Sequence, residues 1–191
     1  MDSKKKTLKI TMCALFAALT AICSQIQIPL PQIPINLALF SVCIAGAVLG
    51  ATYGALSMIV YVLLGAVGVP VFAGFKGGFA AITGSTGGYI VGFVLMALIG
   101  GYVIEKTNRN MVLVIIAWIV GTMVDYALGT AWFAYVQHCT VGYALKVCVY
   151  PFIVFDLIKI VAATFLGKAV RYALVKAGLL SNDKVVSGVT A

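Results

Sequence analysis

Asp156 and Lys159 are opposite charges three residues apart in the otherwise uncharged stretch Val147–Leu166. A carboxylate accepts hydrogen bonds from N–H donors, and an ammonium donates to a carbonyl or pairs with a carboxylate. At the centre of a bilayer each charge costs about 2.5–3.5 kcal/mol on insertion scales, so such residues face a partner, a cavity or a ligand. The plain alternative is a pair that only neutralises itself, and even that arrangement usually needs further hydrogen-bonding partners. A second acid, Asp125, stands in the apolar run Gly121–Trp132. Pairing with Lys159, contact with a ligand and a place nearer the membrane interface all stay open for it, and no role is assigned.

The elements that must position these groups read as membrane helices. The chain has 191 residues, 63% of them hydrophobic and only 9% charged. A soluble domain carries about 25% charged residues. From Ile10 to Phe75 there are 66 consecutive residues without a formal charge. About 20 apolar residues cross a bilayer, and continuous rather than alternating apolar runs disfavour a β-barrel. The expected spans are Lys9–Ile28, Asn36–Gly50, Thr52–Leu64, Ile82–Ile104, Met111–Phe133 and Val147–Val170. The second and third are short, with a weak boundary around Gly50–Gly54.

Charge placement supports six crossings. Of the 13 Lys and Arg, Lys4, Lys5, Lys6 and Lys9 precede the first span, Lys106 and Arg109 lie between the fourth and fifth, and Lys168, Arg171, Lys176 and Lys184 follow the sixth. An even span count gathers all of these on one face, and the positive-inside bias makes that face cytoplasmic. The net charge of +8 is therefore a topology signal and not a nucleic-acid surface. The expectation is an all-α integral membrane protein, a bundle of six transmembrane helices with both termini cytoplasmic and a glycine-rich external loop between spans three and four. Residues 1–178 are expected to form a single transmembrane domain, and 179–191 a short cytoplasmic tail. The first apolar segment outruns the 7–15 residues of a signal-peptide core and reads as a retained helix.

Two connections depart from plain spans. Gln25–Asn36 is uncharged, with prolines at 29, 31 and 34 that exclude helix and favour an extended path over the bundle. Gly65–Tyr89 mixes eight glycines with aromatics. Non-helical backbone near a membrane is tolerated where protein covers it or where it lines a cavity, and glycine lets backbone N–H groups approach a ligand. The segment matches neither a Walker nor a dinucleotide-binding pattern. The five cysteines lack metal spacing and read as packing residues; His138 reads as a solvated loop residue. Catalytic constellations are missing, so an enzyme is not expected, and no metal site is. Ala14 and Ala18 put two small residues on one helix face, suited to intramolecular packing or to docking another membrane subunit.

The motifs Phe16-Ala-Ala-Leu-Thr-Ala, Ile28-Pro-Leu-Pro-Gln-Ile-Pro34, Gly68-Val-Pro-Val-Phe-Ala-Gly74, Thr86-Gly-Gly-Tyr-Ile-Val-Gly-Phe93 and Asp156-Leu-Ile-Lys159 occur in that order. Together they resemble BioY, the biotin-specific substrate-binding subunit of energy-coupling factor transporters, over about residues 8–175. The resemblance implies that biotin is captured outside with high affinity and released inside when a transmembrane coupling subunit and two cytoplasmic ATPases drive the change. It implies no cofactor, biotin as the ligand, and a multi-pass protein in the plasma membrane of a bacterium. Asp156 and Lys159 would hold the polar ureido head, because residues at i and i+3 lie only about 5–6 Å apart; Lys159 on the carboxylate is the competing pose. Tyr89, Phe72 and Gly74 are implied as substrate-binding, with Asn36 beside them, and Phe75 as a further wall. Ala14 and Ala18 match the family's docking strip, and the 65–82 loop is expected to act as a lid. An S component for another vitamin, or a stand-alone secondary transporter, are the alternatives.

Overall fold

The computed structural model describes residues 2–30, 33–107 and 109–180; of the expected tail, 181–191 lie outside the described residues, as do Pro31 and Gln32 of the first connection. Helix α1 (Asp2–Gln25) leads into two short strands, β1 (Gln27–Ile28) and β2 (Ile35–Asn36). These pair antiparallel, Gln27 opposite Asn36 and Ile28 opposite Ile35. The proline-rich connection is thus a small ribbon, extended as expected. Asn36 Oδ1 then accepts the Ala38 N–H at 3.0 Å, where α2 (Ala38–Ala66) starts.

α2 is two arms and not one rod. Gly50 sits at φ 81, ψ −171, a backbone region essentially reserved for glycine. Thr20 of α1 reaches both Ser41 and Met58, whose Cα atoms would stand about 25 Å apart along a straight helix. Gly46 and Gly54 touch across the fold, a Cβ on Gly54 lying 2.9 Å from Gly46 Cα. The chain therefore doubles back at Gly50, between arms 38–49 and 51–66, at the boundary expected from the sequence.

The end of this hairpin is held by charged side chains. Glu105 Oε1 accepts the Ala51 N–H at 3.0 Å, and Arg109 and Arg171 donate to the carbonyls of Ala47 and Val48. Helix ends leave such groups unpaired unless side chains reach them. Next to the turn, Gly101 lets its own helix approach the Ala51 backbone.

Beyond α2 the chain passes through a surface loop and the short α3 (Phe79–Thr83) into α4 (Gly87–Lys106), α5 (Met111–Val136), α6 (Val141–Cys148) and α7 (Ile153–Lys176). Among the span boundaries that differ from expectation, two bear on the cavity. The span expected from Ile82 begins at Gly87, because the backbone is extended at Gly84 and Gly87 packs against the Ile82 carbonyl. The span expected from Val147 is a bent pair: α6 and α7 meet at 51° across a break that contains Pro151. Proline has no N–H to continue the ladder and restricts the residue before it.

Seven helices are present among the described residues instead of six, four of them long and apolar enough to cross a membrane, or five with the bent pair counted as one. The core centres on Trp118, fully buried against Gly46 and Gly100. Cys13, Cys23, Cys43 and Cys148 are buried and unbridged. At Gly50, alanine would meet both the forbidden backbone region and the Glu105 carboxylate. Gly50→Ala is expected to destabilise by roughly 1–3 kcal/mol, read as a lower melting temperature in detergent. Adding Glu105→Ala should relieve the collision but not the backbone strain, so the double variant should stay below wild type.

Candidate functional site

The break at Pro151 places Asp156 in the first turn of α7, where the helix dipole favours an acid. Its backbone N–H donates to Phe152 O at 2.8 Å. One turn on, Lys159 Nζ donates to Asp156 Oδ1 at 2.8 Å, and from α5 the Tyr126 hydroxyl donates to Asp156 Oδ2 at 2.5 Å. Asp156 is 4% exposed and Lys159 9%. An ion pair so deeply buried is stable only with further hydrogen bonds, and Tyr126 supplies one.

The pair opens onto a cavity enclosing about 940 Å³ not filled by protein, its mouth included. The α7 side contributes Phe152, Asp156 and Lys159; α5 contributes Asp125 and Tyr126; α4 contributes Tyr89, Ile90 and Phe93. Both arms of α2 reach it, through Leu39 and Tyr61, and the ribbon adds Pro34 and Asn36. Its walls are mostly apolar and aromatic with a few convergent polar groups, as in small-molecule sites generally.

Over it lies the glycine-rich loop. Phe72 and Lys76 exchange backbone hydrogen bonds at 2.9 and 3.2 Å, closing a turn with Gly74 at φ 74 and Phe75 at φ 56. The Phe72 ring points inward, stacking edge-on with Tyr61 at 5.4 Å between centroids and seated over Gly65. The end of α1 fastens the loop. Ser24 Oγ donates to Val71 O at 2.5 Å, Gln25 Nε2 to Val71 O and Phe72 O at 3.2 and 3.1 Å, and Gln25 Oε1 accepts the Phe75 N–H at 2.9 Å.

Asp156, Lys159, Tyr89, Phe72 and Asn36 thus share one cavity. Asn36 commits its Oδ1 to Ala38, leaving its Nδ2 donors for another partner. Tyr89 shares a hydrogen bond with Thr130 at 3.0 Å and lies on Gly129. Gly74 lies at the turn's tip, outside the lining, and Phe75 is 72% exposed and also outside it. Ala14 and Ala18 lie on the outward face of α1, beside exposed Leu15, Leu19 and Ile22. Sequence reasoning missed Tyr61, Tyr126, Phe152 and Lys76 as lining residues. Lys76 carried a signal, being one of the few basic residues that the topology does not absorb.

The class these features define is a helical membrane protein with a buried ion pair facing a cavity between its helices and a surface loop. The same fold is seen in the crystal structure of the S-component for biotin from an ECF-type ABC transporter, with a TM-score of 0.82, 24% identity, and 90% of this chain and 95% of that chain covered. A probable biotin transporter BioY of Pyrococcus horikoshii is 38% identical over 166 residues, 87% of this chain and 98% of that protein. The biotin transporter BioY of Thermotoga maritima is 39% identical over 159 residues, 83% and 93% of the two chains. The model of the BioY family matches residues 1–176, and the chain belongs to that family.

Removing one partner of the buried pair leaves the other charge uncompensated, at a cost of about 3–5 kcal/mol. Lys159→Met should therefore lower the melting temperature sharply. Adding Asp156→Asn, which removes the stranded charge, should recover most of that loss; a double variant as unstable as the single one would contradict a charge-balance role.

Proposed function

We propose that this protein is the biotin-binding membrane subunit of an energy-coupling-factor importer, resident in the plasma membrane of a bacterium. The observation that carries the reading is the buried Asp156–Lys159 pair, held by Tyr126 and facing a cavity roofed by the glycine-rich loop. Family membership supports the substrate, since its relatives are named biotin transporters.

The ureido head of biotin offers two N–H donors beside a carbonyl acceptor. Asp156 oxygens accept from an N–H, Lys159 donates to the carbonyl, and Tyr126 holds the carboxylate in place. Phe72, Tyr61 and Tyr89 pack on the thiophane ring and tail. Lys76, at the mouth, meets the valerate carboxylate; its place among the lining residues supports this over the competing pose with Lys159 on the carboxylate. Residues 67–78, the part of the expected 65–82 loop that lies between α2 and α3, form the lid.

Six crossings follow if each arm of α2 counts as one and α6–α7 as another. The clustering of Lys9, Glu105, Arg109 and Arg171 around the Gly50 turn supports a cytoplasmic placement of that end, with both termini on the same side. The cavity then faces outward. Ala14 and Ala18 form a strip on which a transmembrane coupling subunit docks, with two cytoplasmic ATPases driving reorientation and release.

Purified protein should bind biotin with submicromolar Kd by isothermal titration calorimetry, and neither thiamine nor riboflavin should displace it. Micromolar or weaker binding, or ready displacement, overturns the assignment. Ala14→Trp together with Ala18→Trp should leave biotin affinity unchanged but abolish co-purification of the coupling subunit. Retained assembly would remove the docking role from that face.

A further inference from the structure

Asp125 is 2% exposed, borders the cavity, and its Oδ1 has no hydrogen-bond partner. Room for the carboxyl group exists because the facing residue on α4 is Gly92: a Cβ there would strike Asp125 Oδ1. The next residue, Tyr126, donates to Asp156, so the two acids belong to one wall of the cavity and sit within electrostatic reach of each other. Their situations differ. Asp156 has a donor on each oxygen, Lys159 on one and Tyr126 on the other. Asp125 Oδ1 is buried with none.

A buried polar atom without a partner is costly, and buried polar groups are nearly always satisfied by protein, water or ligand. Ordinary packing does not explain a carboxyl here, where leucine would fill the space between apolar helices at no such cost. A partner in the cavity that Asp125 borders does, met once the carboxyl group turns from its place against Gly92.

We propose that Asp125 is a second ligand-gripping acid, accepting a hydrogen bond from an N–H of the bound polar head. The inference rests on the biotin reading above. A ureido head presents two N–H groups on either side of its carbonyl, so one acceptor leaves the other N–H buried and unpaired. With Asp156 on one N–H, Lys159 on the carbonyl and Asp125 on the second N–H, every polar atom of the head is satisfied. The protein gives up stability when empty and gains specificity for heads with two donors.

The test measures Kd for biotin and for its two mono-N-methyl ureido analogues, using purified wild type, Asp125→Leu and Asp125→Asn. Asp125→Leu should weaken biotin roughly ten- to a hundredfold, while melting, without ligand, at or above the wild-type temperature. Asp125→Asn retains an acceptor oxygen and should lose less. For one of the two analogues the Leu substitution should cost little, because the hydrogen bond it removes is already gone. If the Leu variant is not monodisperse, Asp125→Ala replaces it. Unchanged biotin affinity in the folded Leu or Ala variant overturns the proposal, as does an equal loss for biotin and both analogues, which marks a structural role. A wild type that fails to bind biotin at all overturns the functional reading and this inference with it, a result distinct from the other two.

Discussion

Holding a carboxylate and an ammonium between helices in a medium that solvates neither is the constraint to which the rest of this molecule answers. Coulomb attraction between Asp156 and Lys159 offsets part of the cost of burial, but a buried pair is stable only when its remaining hydrogen-bonding capacity is met. Tyr126 meets some of it, from a different helix. That contact fixes how α5 and α7 stand relative to each other near the cavity. The break at Pro151 is part of the same solution. It starts a new helix just before Asp156, so the acid occupies a first turn, where its charge is favoured.

Glycine makes the surrounding bundle possible, and it does so in two different ways. At Gly50 the backbone itself demands it, since the chain reverses through a conformation that side chains forbid. Elsewhere glycine clears space for something large: Trp118 lies on Gly46 and Gly100, Phe72 on Gly65, Tyr89 on Gly129. Each pairing seats an aromatic ring against backbone, giving close packing where the hydrophobic effect between helices is weak. Two of the three rings belong to the cavity side, so the same device that packs the bundle also sets the shape of the pocket.

Much of this was legible from residues alone. The charge-free run and the low share of charged residues point to the membrane class, and the glycine at position 50 marks a break between spans. Asp156 and Lys159 stood out because charge in an apolar helix has no cheap explanation. What escaped was the set of contacts between distant segments. Tyr61 and Tyr126 look like any membrane-helix tyrosine, and only the folded geometry brings one to Phe72 and the other to Asp156. Gly74 is a substrate-binding expectation of the resemblance, yet it serves the turn's conformation at φ 74 and lies outside the lining. The bent α6–α7 pair escaped for a related reason. Val147–Val170 has the length of a span, and periodicity does not reveal that its proline divides it.

The position of α1 links features that the sequence presents separately. Its outward face carries Ala14 and Ala18, while its inward face reaches both arms of α2 through Thr20. Its last residues hold the loop over the cavity, with Ser24 and Gln25 engaging Val71, Phe72 and Phe75. These bonds run to the Val71 and Phe72 carbonyls and the Phe75 N–H, so several of them tie the end of α1 to the loop at once. A shift of α1 against the bundle must therefore either carry the loop with it or break several bonds together. The cavity's cover is in this way tied to the helix whose exposed face carries Ala14 and Ala18. A partner that moved α1 would act on the pocket without touching any residue that lines it.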